Sequence, residues 1–530
     1  MTIAEYIARE LYLQGVRFVY GIPGGPSIPL IEAFREAGID FILTSNEASA
    51  GIMADVSARL TGVPGVCHAT FGPGATNITT GVGGALLDRS PLIVFTTEMD
   101  DAMLNRTTQM NISHQKLFEP ITKATWRLSP SNYADVMDTA LGLCRDGYPG
   151  PVHIGLPSDI CVKEAGALKT SSYSDQNLTF NNNIQKILSL IDRSRKPLMA
   201  LGLTAARLGL GPMVLSFLEN YQMPVVLTPM AKGLIPENHP CYAGILFHAL
   251  SDYLEDIYSK CDLVISLGYD PVEFNYESWM PDVPLIHFDT EQMDMPVDKS
   301  IAEYIGPPDE WIRILKNINK GSLLFERADI ISVREEMLAV YDGFKSHFGP
   351  SAALGILNEE LPHDTILTAD VGSHLHLIGQ FWQTHGKGKV IMTNGWSGMG
   401  FGIPAALAAQ LTKRESTVAC ITGDGGFLMN GGEMLTARRY NLPVIVVVFS
   451  DGELNLIKVK QSWKNLAPYG TMLYQGDLFS ADRFLGVRVL RAGSHDEMRR
   501  AVIEALAENE PVIINAVIDP DEYRWLIVKR

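Results

Sequence analysis

The sequence predicts an α/β protein built from three doubly wound parallel-sheet domains. Short apolar runs alternate with helix-like stretches along nearly the whole chain, the pattern of parallel sheets covered on both faces. The chain has 530 residues, more than one hydrophobic core ordinarily supports. Hydrophobic residues make up 46% against 19% charged, so each part can build a core of its own.

The N-terminal stretch MTIAEYIARELYLQGV carries Glu5, Arg9 and Glu10 among apolar residues at helical spacing. It reads as an amphipathic helix and not as a signal peptide. The runs FVYGI, FILTS, GVCHAT, LIVFTT and PVHIGLP then supply the strands of a first domain, residues 1–165. A polar stretch between Glu164 and Ile184, containing KTSSYSDQNLTFNNN, has little to bury and reads as a linker. PLMALG, MPVVLTP, LVISLG and PLIHFD define a second domain, residues 184–325. A charged helical segment from Arg327 to Phe348 leads into a third, residues 345–530, with strands at TILTAD, VIMTN, TVACITG, PVIVVVFS and PVIINAVI. The run Pro443 to Phe449 is far too short to span a bilayer and has the β-branched content of a buried strand.

A net charge of −17 argues against nucleic acid or an anionic membrane as partner, since both require a concentrated basic surface. The six cysteines, at 67, 144, 161, 241, 261 and 420, form no CxxC pair. They fit neither a disulfide framework nor a zinc site, and a reducing cytoplasm is the expected compartment.

The chemistry concentrates between Ile421 and Asp451, ITGDGGFLMNGGEMLTARRYNLPVIVVVFSD. One apolar strand ends at Gly423-Asp424-Gly425-Gly426 and a second ends at Ser450-Asp451, so both aspartates fall at carboxyl ends of strands, where open α/β sheets place ligands. Two hard oxygen ligands suit magnesium, which completes its shell with substrate phosphate. The glycines allow close approach of a phosphate, and the helix start offers free N–H groups. Taken alone, GDGG also reads as a plain strand-to-helix turn.

This segment resembles the cofactor motif of the thiamine-diphosphate enzymes, which begins GDG and ends in Asn or Asp. The resemblance implies thiamine diphosphate and Mg2+, with Asp424 and Asp451 as side-chain ligands and the Glu453 carbonyl as the third. It implies cofactor contacts from Gly24, Gly423, Gly425, Gly426, Leu454, Asn455 and Leu456. Four further segments match in family order. Asn46-Glu47-Ala48 places a glutamate where the family binds N1′ of the aminopyrimidine and promotes its imino tautomer. Alone, Glu47 reads as a helix N-terminal charge. Phe71 to Asn77 resembles the GPGATN turn against the aminopyrimidine, implicating Pro73 and Asn77, although Thr and Asn here also suit helix capping. Asp370 to His374 resembles the second diphosphate loop, implicating Gly372, Ser373 and His374. Asn394 to Ala406 resembles the segment that bends the cofactor, with Met399 between its rings and the Ser397 carbonyl as acceptor from the 4′-amino group.

The whole chain is similar to acetolactate synthase large subunits, through GIPGG at Gly21 to Gly25 and ITK after Pro120. Gly268 to Phe274, GYDPVEF, resembles the flavin-independent type, and AGILFHAL stands where the flavin-binding type has a GMHG-like turn, so no FAD is expected. The implied reaction is decarboxylation of a pyruvate-like 2-oxo acid with carboligation to a second carbonyl. Gln109, His114 and Gln115 are expected to face the reacting carbons. Asn46 replaces a histidine common in these synthases, and Lys460 stands where biosynthetic members carry a specificity tryptophan. The alternatives are a decarboxylase releasing an aldehyde with His114 as proton relay, a lyase acting on an acyl-CoA, and an inactive binding relative. A homodimer or homotetramer is implied, with each active site assembled from the first domain of one subunit and the third of another.

Overall fold

The computed structural model describes residues 1–168, 173, 183–273, 279–294 and 301–527. Most of the linker read between Glu164 and Ile184 lies outside the described residues, as does Phe274. The chain divides into two compact units, Met1–Leu178 with Gly395–Glu415 and Met429–Leu442, and Thr179–Asn394 with Ser416–Leu428 and Pro443–Arg530.

The first unit opens with the expected helix, Ile3–Leu13. Thr2 accepts from the Glu5 N–H at 3.2 Å while the Glu5 carboxylate accepts from the Thr2 N–H at 2.9 Å, a reciprocal cap. Its sheet runs Asp40–Leu43, Phe18–Gly21, Gly65–Ala69, Leu92–Glu98, Pro151–Pro157, Thr125–Arg127, all parallel. Ile3, Ile7, Phe34, Phe95 and Ile154 are among its fully buried core residues. The half-buried edge strand Thr125–Arg127 has no apolar run and was not legible in the sequence.

The second unit holds two sheets. The central one runs Ile301–Ile305, Leu285–Asp289, Leu263–Leu267, Pro197–Leu201, Val225–Leu227, Tyr242–Ile245, all parallel. The other runs Lys389–Ile391, Ile366–Ala369, Val418–Gly423, Ile445–Ser450, Val512–Val517, Val487–Ala492, Arg483–Phe484, parallel except for its last, antiparallel pair. The central sheet winds outward from its middle in both directions, and the other does so until its last three strands, which return inward from the edge. The strand order therefore reverses between Pro197–Leu201 and Leu263–Leu267 in one, and between Ile366–Ala369 and Val418–Gly423 in the other. A buried ion pair, Lys232 to Glu237 at 2.9 Å, ties the two sheets together, because Glu237 also accepts from the Thr384 N–H at 3.0 Å. The charged segment forms the helix Arg327–Phe344. No helix among the described residues is long and apolar enough to cross a membrane.

Candidate active site

In the second unit, the strand pairing of Gly423 with Phe449 brings two strand ends level. Asp424 opens the helix Asp424–Asn430 at one end, and Asp451 follows the other. The Asp424 Oδ2 accepts from the N–H groups of Asp451 (3.1 Å) and Gly452 (2.7 Å) and from the Tyr474 hydroxyl (3.0 Å), while Oδ1 accepts from the Gly425 N–H at 2.8 Å. Gly452 takes φ +77°, a left-handed conformation open to glycine. The Asp451 Oδ1 accepts from the Glu453 N–H at 3.0 Å. Burial raises the Asp424 carboxyl above its ordinary value, and burial with the nearby Asp424 charge pushes Asp451 up to about 7. Two acids that resist ionising together, one buried and one half-buried, are what a divalent cation relieves. The loop beyond is pinned by the Leu454 N–H donating to the Thr471 carbonyl at 2.8 Å and by an ion pair of Glu453 with Lys458. Asn455 is buried at the head of the helix Asn455–Trp463, Leu456 is half-buried, and Lys460 on the same helix is exposed.

The facing lip comes from the end of Ile366–Ala369, where Ser373 begins the helix Ser373–Phe381. Among the described residues, the buried Ser373 Oγ and His374 Nε2 have no hydrogen-bond partner. Burial lowers His374 to about 4, so its ring is neutral. A Cβ on Gly372 would stand 2.7 Å from the His374 ring, one on Gly423 3.3 Å from the same ring, and one on Gly426 2.6 Å from the Asp370 carboxylate. Orphaned polar atoms, a helix start and glycines that admit close approach together make a cradle for an anionic group.

In the first unit, Glu47 is the first residue of the helix Glu47–Thr61, capped by Asn46, whose Oδ1 accepts from the Ala48 N–H at 2.7 Å. Glu47 is 8% exposed, and its Oε2 accepts from the Asn77 amide at 3.1 Å. Pro73 opens the short helix Pro73–Asn77 after Gly72 at φ +67°, and a Cβ on Gly74 would lie 3.3 Å from the Glu47 Oε1. A Cβ on Gly24 would stand 2.3 Å from the Thr70 hydroxyl. Ser397 is held at φ +53°, a left-handed conformation unusual for serine, and Met399 beside it is half-buried. The segment is anchored by the Gly395 N–H on Asp88 (3.1 Å) and by the Asn430 amide on the Gly400 carbonyl (2.7 Å).

Gln109, His114 and Gln115 do not form one group. Gln109 is exposed. His114 is buried against the Thr96 hydroxyl at 2.7 Å, which also meets His153 at 2.7 Å, and burial lowers His114 to about 4. Gln115 donates to the buried Glu98 at 2.5 Å, whose other oxygen accepts from Arg127 at 3.1 Å. Glu98, His114 and His153 offer ligand atoms within 4.8 Å of one another, the spacing of a metal site. Both His153 nitrogens already meet hydroxyls, of Thr96 and Thr125, and Arg127 neutralises Glu98, so the cluster is a satisfied hydrogen-bond network.

Three family models of the thiamine pyrophosphate enzymes match: the N-terminal TPP binding domain over residues 1–117, the central domain over 184–308, and the C-terminal TPP binding domain over 370–516. A probable acetolactate synthase large subunit of Methanocaldococcus jannaschii is 30% identical over 98% of this chain and 93% of its own length. The chain belongs to the thiamine pyrophosphate enzymes. The large subunit of acetolactate synthase isozyme 2 of Escherichia coli is 26% identical over 100% of this chain and 97% of its own. The probable large subunit of Methanococcus aeolicus is 28% identical over 98% and 92%. The protein is thus a thiamine-diphosphate-dependent, acetolactate-synthase-like enzyme of the carboligase type. The cradle of Ser373, His374 and the glycines has the chemistry to fit a diphosphate, and the paired acids the chemistry to fit a divalent cation.

Sequence reasoning missed Tyr474, whose hydroxyl supports Asp424 from 50 residues away, and Glu98, which holds Gln115. No local pattern marks either residue.

Proposed function

We propose that the enzyme decarboxylates pyruvate or a close 2-oxo acid and joins the remaining acyl unit to a second carbonyl, giving acetolactate or a similar ketol. The observation that carries this reading is full-length likeness to acetolactate synthase large subunits together with an intact acidic pair, Asp424 and Asp451, at the ends of the adjacent strands Val418–Gly423 and Ile445–Ser450. When bound, thiamine diphosphate supplies an electron sink for the bond that breaks next to the carbonyl.

The chain's residues do the rest. Asp424, Asp451 and the Glu453 carbonyl hold Mg2+, and Gly372, Ser373, His374, Gly423, Gly425 and Gly426 receive the diphosphate. Leu454, Asn455, Leu456 and Gly24 line the cofactor. Asn77 engages Oε2 of Glu47, which leaves Oε1 to hold or pass a proton. Pro73, Ser397 and Met399 bear on the aminopyrimidine. Gln109, His114 and Gln115 remain the substrate-side residues, with His114 acting as a neutral imidazole.

We also read the protein as independent of FAD. At the strand-order reversal of the central sheet, the Glu273 carboxylate accepts from the N–H groups of Leu203 (3.3 Å) and Met230 (2.9 Å), the donors that a nucleotide would use there. The domains are taken as 1–165, 184–325 and 345–530, the compartment as the cytoplasm, and the assembly as a homodimer or homotetramer. Tyr469 and Met472, beside the Asp451 loop, are 87% and 63% exposed, apolar surface that a second copy would cover.

Purified protein incubated with thiamine diphosphate, Mg2+ and a panel of 2-oxo acids tests the reading, with products identified by mass. Acetolactate from pyruvate is expected. Aldehyde alone, or inertness towards every 2-oxo acid, overturns it.

A further inference from the structure

The segment that follows the metal-binding turn does more than continue the chain. Residues 429–442 belong to the first unit, and there they grip the end of the Asp40–Leu43 strand from which Glu47 springs. The Tyr440 hydroxyl accepts from the Leu43 N–H at 2.7 Å, and Arg439 donates to the Leu43 carbonyl at 2.8 Å. The Ser45 hydroxyl donates to the Gly432 carbonyl at 3.0 Å. Glu433 is at the centre. Its Oε1 accepts from two successive backbone N–H groups, Ser45 at 2.9 Å and Asn46 at 3.1 Å, and its Oε2 accepts from the Thr436 hydroxyl at 2.7 Å.

These are the amides immediately before the helix that Glu47 opens, and Glu433 is 1% exposed. A buried carboxylate held on one side by its own turn and on the other by two consecutive amides fixes the path of residues 45 and 46. It thereby fixes the direction in which the next side chain leaves the backbone. Asn77 constrains one oxygen of Glu47, but an amide alone does not set where the Cα lies.

We propose that Glu433 is a positioning residue for Glu47, acting by the reach of its side chain to the Ser45 and Asn46 amides. The inference rests on Glu47 being the proton-handling carboxyl of the proposed function. Because position is what matters, length should count for more than charge. Glu433→Gln keeps an oxygen at the same distance and a nitrogen that can donate to Thr436. Glu433→Asp keeps the charge and withdraws it by one methylene.

The measurement is exchange of the C2 proton of enzyme-bound thiamine diphosphate in D2O, read by acid quench and NMR at saturating cofactor and Mg2+. Cofactor affinity and thermal unfolding are recorded alongside. Glu433→Asp is expected to slow exchange at least about tenfold with affinity changed less than about threefold, while Glu433→Gln stays within about threefold of the parent rate. Tyr440→Phe, which removes the acceptor for the Leu43 N–H and the donor to the Phe41 carbonyl, is expected to slow exchange about two- to threefold. A purely structural role would lower the unfolding temperature and leave exchange at saturating cofactor unchanged. Parent-rate exchange in Glu433→Asp overturns the proposal, and so does a Glu433→Gln that falls as far as Glu433→Asp. Glu47→Gln is run in parallel. If it exchanges normally, the reading of Glu47 itself fails; if it is suppressed while Glu433→Asp is normal, only the positioning role is lost.

Discussion

The two sheets of the second unit reverse their strand order in the same way, yet the two crevices this creates have opposite fates. In the central sheet, Gly202 and Gly268 lie so close that a Cβ on Gly202 would stand 2.5 Å from the Gly268 carbonyl oxygen. Glu273 takes the remaining amides, of Leu203 and Met230. In the other sheet, the buried Ser373 hydroxyl and His374 Nε2 have no partner among the described residues, and two acids sit across from them with raised carboxyls. One crevice is filled by its own side-chain carboxyl, and the other presents groups that an anion and a cation would satisfy. Topology therefore nominates a ligand site, and satisfaction of the polar groups decides whether it is one.

This contrast is open to direct attack. The largest expected effect is on the acidic pair. Asp424→Ala should weaken Mg2+-dependent binding of thiamine diphosphate by at least about a hundredfold, since partners outside the coordination shell are themselves worth about ten- to a hundredfold. Titration of cofactor fluorescence quenching measures it, and parent-like affinity would move the metal elsewhere. Glu273→Ala should do the converse. It uncaps one buried and one part-buried amide and leaves a cavity, costing about 2–3 kcal/mol in calorimetric unfolding while leaving cofactor affinity alone. A Glu273→Ala protein that unfolds like the parent would mean that the central crevice is not closed by that carboxylate. Ser373→Ala should be milder. Removing an unpartnered buried hydroxyl leaves stability of the cofactor-free protein unchanged or raises it by about 1 kcal/mol, and weakens cofactor binding by a similar amount. If stability falls instead, the hydroxyl is not an orphan.

The same contrast explains what was legible in the sequence. That Asp424 and Asp451 come together was legible because they end two paired strands joined by one continuous stretch of chain, so local order sets their neighbourhood. The three sheets followed from apolar runs. Strands with a wet or charged face did not: Ile301–Ile305 alternates half-buried with buried residues and includes Glu303, and Val487–Ala492 carries Arg488 and Arg491. Asn46, read as a departure from the synthase pattern, is a helix cap, a role open to asparagine whatever the substrate. The support of Glu47 was illegible for a different reason. Its partners Glu433 and Tyr440 meet residues 388 and 397 positions away, and no spacing rule reaches that far.

The smallest effect separates Glu273's charge from its shape. Burial, with a contribution from the neighbouring Asp270 charge, raises Glu273 to about 8, well above an ordinary glutamate. The folded state therefore keeps a proton that the unfolded chain releases. The stability this carboxyl contributes is fully present below the ordinary glutamate range, declines as pH rises, and is lost as pH passes through about 8. Asp289 nearby is also raised, to about 7, so the raw pH profile of the protein mixes both groups. Glu273→Gln removes one of them and keeps the side chain's length. The difference in unfolding temperature between variant and parent should therefore widen in the variant's favour from about pH 5 to about pH 9. A constant difference would mean that Glu273 is ionised in the folded state throughout. The central crevice would then be closed by a charged carboxylate, and its contrast with the acidic crevice would rest on geometry alone.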